Sequence, residues 1–135
     1  MHDENAGRPL SISVLAILLL LFGFFAFAGS MFLWGQGFIL GAPQRINLAF
    51  PITDVLVNAP ASWLTALGLW SLRRYGYVGS YFVAGFYVYA SVYNLIEVFQ
   101  DGPPYPAEII IPQMLAVLLA IALLSLPNRH RTRFT

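Results

Sequence analysis

The chain of 135 residues has no cysteine and no lysine. Without cysteine there is no disulfide, no thiolate metal site and no cysteine nucleophile. All seven basic residues are arginine, and the net charge is only +1. No basic stretch is interleaved with aromatics outside the hydrophobic runs, so nucleic acid is excluded as a partner. Charged residues make up 10% of the chain, against roughly 25% in a soluble domain. That is too little polar surface to clothe a water-soluble fold. The two histidines, His2 and His130, lie in the polar tails, so a haem held by two histidines inside membrane spans has no ligands. HExxH, GxSxG and the phosphate-binding loop are all missing. No catalytic residue, metal or cofactor is expected.

What the chain does have is oil. It is 59% hydrophobic, with a mean hydropathy of +0.71. Four apolar runs cover about residues 10–33, 52–72, 77–99 and 107–126, each near the ~20 residues that carry a helix across ~30 Å of hydrocarbon. The expectation is an all-α integral membrane fold of one domain: a bundle of four transmembrane helices with tails at 1–9 and 127–135. The stretch AFAGS at Ala26–Ser30 has the small residues of a signal-peptide cleavage site. The preceding tail, however, carries Asp3 and Glu4, and the apolar run continues through MFLW. The first run is therefore read as a retained span.

The arginines set an orientation. Arg8 precedes the first run, Arg73 and Arg74 sit between the second and third, and Arg129, Arg131 and Arg133 follow the fourth. Only Arg45 lies in the loop between the first two runs. The positive-inside rule then puts both termini and the short Arg73–Arg74 turn in the cytoplasm. A bacterial or archaeal cytoplasmic membrane is the expected location. Trp34 and Trp70 fall where interfacial anchors belong. The short turn predicts that the second and third runs form an antiparallel hairpin, with Asp54 and Glu97 at similar depth. Gly76, Ser80 and Ala84, and likewise Ala116 and Ala120, are small residues spaced by four, which lets helices approach closely.

Polar groups within oil carry the functional reading, because an unpartnered hydroxyl or carboxylate in lipid is costly. Six of seven tyrosines lie between Tyr75 and Phe99. Tyr77, Tyr81, Tyr89 and Tyr93 recur by fours toward Glu97, and Ser80, Ala84, Tyr87, Ser91 and Asn94 make an adjacent stripe. Tyr87 and Tyr89 lie mid-span and are expected to face other helices. In the second run, Asp54, Asn58, Ser62 and Thr65 share a face, and Pro60 is expected to kink the helix and free a carbonyl near Leu56. Every acid beyond the N-terminal tail falls on the outer half. The candidate ligand-binding residues are thus Asp54, Asn58, Tyr87, Tyr89, Tyr93, Glu97 and Gln113, with Glu97 as the deciding acid. Arg45, Asp101 and Glu108 are the ion-pair candidates, Arg45 being the one base on that side.

Two functions compete. One is a carrier or sensor whose tyrosine-lined interior binds a small lipophilic or cationic ligand beneath an acidic rim. The other is an accessory subunit of a larger membrane complex or a homo-oligomer, with the polar side of the third span buried against partner helices. A membrane-embedded enzyme is a distant third. In every case membrane lipids surround the chain.

Overall fold

The fold is taken from a computed structural model, which describes residues 7–35, 49–101 and 106–135. The described residues are helical almost throughout. Helix α1 runs Leu10–Gly35. Pro9 starts it, its carbonyl accepting from the N–H of Ile12 and Ser13 at 3.0 and 3.1 Å. The second apolar run is helical from Ala49 to Trp70 but in three pieces: α2 (Ala49–Thr53), a π-helical turn (Asp54–Asn58) and α3 (Ala59–Trp70). Helices α4 (Arg74–Asp101) and α5 (Pro106–Arg129) follow, and a 3-10 turn at Arg131–Arg133 closes the chain. Three helices, over 10–32, 74–100 and 110–129, are long and apolar enough to cross a membrane.

The kink expected at Pro60 takes the form of the π turn. A proline has no N–H to give, and its ring presses on the carbonyl four residues back. The helix answers by widening one turn, so that the Ala59 N–H bonds to the Asp54 carbonyl, five residues back. Such single-turn widenings inside α-helices gather at functional sites.

Consecutive helices run antiparallel. Arg8, at the start of α1, donates to the Trp70 carbonyl at the end of α3 at 2.6 Å, and its guanidinium lies 3.6 Å from the Trp70 ring centre. Ser30, late in α1, reaches Asp54. Ser62 of α3 meets Tyr87 of α4. The Ser91 hydroxyl of α4 donates to the Gln113 carbonyl early in α5, while Tyr77 reaches Asn128 at the far end. The α3–α4 turn closes as the Arg73 N–H bonds back to Gly68, with Leu72 in the left-handed region at φ 52°. Thr135 docks on this turn, exchanging backbone bonds with Leu72 and Arg74. Arg133 donates to the Gly7 carbonyl. Six of the seven arginines therefore gather at one end, the alternation that the positive-inside argument requires.

One apolar core joins the helices. Ile12, Leu15 and Leu19 from α1 meet Leu69 of α3, Val83 and Tyr87 of α4, and Leu123 of α5. Between α3 and α4 the approach is backbone to backbone: a Cβ on Gly68 would stand 2.5 Å from the Gly76 Cα. Gly23 leaves room for the Trp63 indole, whose Nε1 would lie 2.8 Å from a Cβ there. The small residues Ser80, Ala84, Ala116 and Ala120 are all buried. The outside is as oily as the inside: Leu21, Phe24, Leu64, Phe82, Phe99 and Leu118 are all exposed. A surface of that kind suits lipid, not water.

One expectation is corrected here. Tyr89 does not face another helix of this chain; it is 67% exposed, whereas Tyr87 is 1% exposed. A helix has 3.6 residues per turn, so a repeat of four drifts by about 40° at each step. The stripe from Tyr77 through Tyr81 to Tyr89 winds off the interior face within three steps. Gly76, Ser80, Val83, Ala84, Tyr87, Ser91 and Val98 are the buried face of α4, and Tyr89 is on the opposite side. Tyr81 is exposed as well, sharing a 2.9 Å hydrogen bond with Tyr77 near the arginine end.

Candidate functional site

At the end of the molecule away from the six clustered arginines, a cavity of about 90 Å³ opens between the helices. Its polar wall is Asp54, Asn58, Tyr87, Asn94 and Gln113. Its apolar wall includes Phe22, Phe25 and Pro112. The π turn places two of the polar groups. Because the turn is wider than an α turn, Asp54 and Asn58 stay in line with Ser62, without the drift seen in α4. The three residues then bond in series along one face.

The series runs from the core to the cavity. Ser62 Oγ donates to Asn58 Oδ1 at 3.3 Å, and Asn58 Nδ2 donates to Asp54 Oδ1 at 2.9 Å. Ser62 also lies 2.8 Å from the Tyr87 hydroxyl. A serine has one hydroxyl hydrogen, and here it goes to Asn58. Tyr87 must therefore be the donor to Ser62. From the far side, Ser30 Oγ donates to Asp54 Oδ2 at 3.4 Å. Every donor in the network thus points toward Asp54. Asn58, Ser62, Tyr87 and Ser30 are buried, so each group has its bond where water is scarce.

This direction decides what the cavity offers. Tyr87 spends its hydrogen on Ser62 and keeps oxygen lone pairs. Asp54 accepts from Asn58 and Ser30 and has further lone pairs. Both are acceptors at the cavity wall, and the aromatic rings of Phe22, Phe25 and Tyr87 line it beside them. Phe22 packs on Tyr87 with ring centres 5.2 Å apart. Acceptors combined with aromatic rings suit a compact donor cation. The amide of Asn58 also breaks any hydroxyl relay between Tyr87 and Asp54, so the series orients groups; it does not form a chain of exchangeable hydroxyls.

Of the candidates read from sequence, Asp54, Asn58, Tyr87 and Gln113 come together on this cavity. Tyr93 is half-buried on α4, and Tyr89 points away. The side chains of Glu97, Asp101, Glu108 and Trp34, and the whole of Arg45, lie outside the described residues. Glu97 keeps its place in α4, one turn beyond Asn94. Sequence reasoning missed Ser30, Phe22 and Phe25. In α1, apolar residues occupy all sides, so no periodicity marks the face that turns toward the cavity; Ser30 sits in the stretch that resembles a cleavage site. Among the described residues no group of three or more His, Cys, Asp and Glu side chains is placed to hold a metal ion.

Set against known protein families, curated proteins and solved structures, the chain matches none of them.

Proposed function

We propose that this chain is a four-span membrane protein, both termini cytoplasmic, that binds a small ammonium-type cation in the cavity at its extracytoplasmic end, as a carrier or a sensor. The observation that carries the reading is the convergence of donors on Asp54, which leaves acceptors toward a cavity lined by aromatic rings. Size narrows the ligand. A cavity of about 90 Å³ is worth about three waters at roughly 30 Å³ each, and drug-sized ligands need roughly 300–1,000 Å³. A bulky lipophilic molecule does not fit within it, and a primary or methylated amine head does. The helical run Ala49–Trp70 serves as the fourth span: its 22 positions rise about 33 Å at 1.5 Å each.

Asp54→Asn keeps the shape and removes the charge. Methylammonium binding to the purified protein, measured by equilibrium dialysis, should weaken at least tenfold, about 1.4 kcal/mol. Thermal stability should move by no more than about 1 kcal/mol, the usual scale of a polar contact between membrane helices. Unchanged methylammonium binding would remove Asp54 and this reading together.

The orientation has its own test, which the absence of native cysteine makes clean. In intact cells an impermeant thiol reagent should label a cysteine placed at Gly102 and spare one placed at Asn128. The reverse pattern would place Asp54 at the cytoplasmic end.

A second reading, a subunit of a homo-oligomer or larger complex, is favoured by the outer face of α4. Tyr89 is exposed there mid-helix, with Phe82 and Val92 nearby, and a hydroxyl facing lipid lacks a partner.

A further inference from the structure

Resting on the reading above, we infer that the ligand is an amphiphile, a single alkyl chain with a small amine head, which reaches Asp54 sideways from the bilayer along the seam between α1 and α5. The seam is open. Near the arginine end, a cleft of about 430 Å³ lies between Leu10, Val14 and Leu18 of α1 and Ala122 and Leu126 of α5. A second cleft, of about 280 Å³, continues it between Leu18, Phe22, Leu115 and Ala122. The two share Leu18 and Ala122, so they form one groove. From Leu10 to Phe22 the groove is about 18 Å long, at 1.5 Å per residue. Its walls are almost wholly apolar.

The groove ends at Phe22, and the polar cavity begins at the same side chain. Phe22 lines both spaces. On α5 the neighbours Leu115 and Ala116 divide the same way, one toward the groove and the other toward the cavity. An apolar groove thus leads to a small chamber of acceptors, with the Phe22 ring lining both. A tail lies in the groove while its ammonium head takes the acceptors of Asp54 and Tyr87. The head must fit about 90 Å³, which suits a primary amine. A comparable cleft between α1 and α3, walled by Ile17, Leu67 and Trp70, shares no wall residue with the cavity and serves as an internal control.

The test compares dodecylammonium with ethylammonium, binding to the full chain in phosphatidylcholine nanodiscs with empty nanodiscs subtracted. Leu18→Trp and Ala122→Phe fill the groove, while Ile17→Trp fills the control cleft. The tail must occupy the groove for the head to reach Asp54. Either groove variant should therefore weaken dodecylammonium tenfold or more and leave ethylammonium within twofold. Ile17→Trp should change neither, and Asp54→Asn should lose both. Retained ethylammonium binding also shows that a groove variant is folded. Comparison of variants in the same bilayer cancels partitioning of the tail. If ethylammonium binds through Asp54 and dodecylammonium ignores both groove variants, the amphiphile is overturned and the cation cavity stands. If neither amine binds the wild type, the cavity reading falls as well. A shift of the chain's oligomeric state on Leu18→Trp, with amine binding unaltered, would assign the groove to a second copy and overturn the proposal.

Discussion

Gly76→Ala is expected to separate α3 from α4 and to cost upwards of about 3 kcal/mol, at or beyond the usual range for overpacking. A Cβ at Gly76 would run into the carbonyl carbon of Gly68 and the amide nitrogen of Leu69. These are backbone atoms, so no rotamer change relieves the clash; the helices must move apart. They cannot do so cheaply, because Ser62 and Tyr87 bond across the same interface. Gly68→Ala meets Gly76 and the Tyr75 ring and should behave alike. Gly85→Ala supplies the contrast. Nothing lies within 4 Å of a Cβ there, and an interior helical glycine replaced by alanine gains roughly 0.5–1 kcal/mol. Thermal unfolding of the three variants in one detergent checks the set. If Gly76→Ala melts like Gly85→Ala, the close α3–α4 contact is wrong.

Pro60→Ala should do the reverse, sparing the fold and removing the site. The π turn exists because a proline at 60 denies its N–H to the residues before it. With alanine there, the Asp54–Asn58 turn can close as an ordinary α turn. That change adds one residue's worth of rotation to the helix, about 100°. Asp54 would then swing from the cavity wall and away from Ser30, while Asn58 stays its neighbour four residues on. Methylammonium binding should fall tenfold or more, while thermal stability holds or rises, since alanine is the better helix former. Binding equal to wild type would mean that packing of α2 on α1 holds the π turn without help from the proline.

The two variants mark different levels of legibility. Apolar runs, arginine bias and the brevity of the Arg73–Arg74 turn were enough to read helices, their alternation and the α3–α4 hairpin from the sequence. Each rests on a local quantity: length of an oily run, charge at its ends, or residues available to turn. The small residues at Gly76, Ser80 and Ala84 were legible as a packing face for the same reason. Of the candidate cavity's lining, the polar side was the legible part. Asp54, Asn58, Tyr87 and Gln113 declared themselves as polar groups out of place in oil.

What the sequence by itself determined, then, is the class of solvent this chain meets and the set of polar groups that need partners within it. Which of those groups share a space was decided only by the tertiary structure. The reason is angular. In α4 the repeat of four carries Tyr89 round to the outside, because the helix is regular and the drift accumulates. Between Asp54 and Ser62 the same repeat stays in line, because Pro60 forces a wider turn that absorbs the drift. Phe22 and Phe25 carry no mark in a run that is apolar on every side; they become cavity walls only because α1 turns that face toward Tyr87 when the core closes.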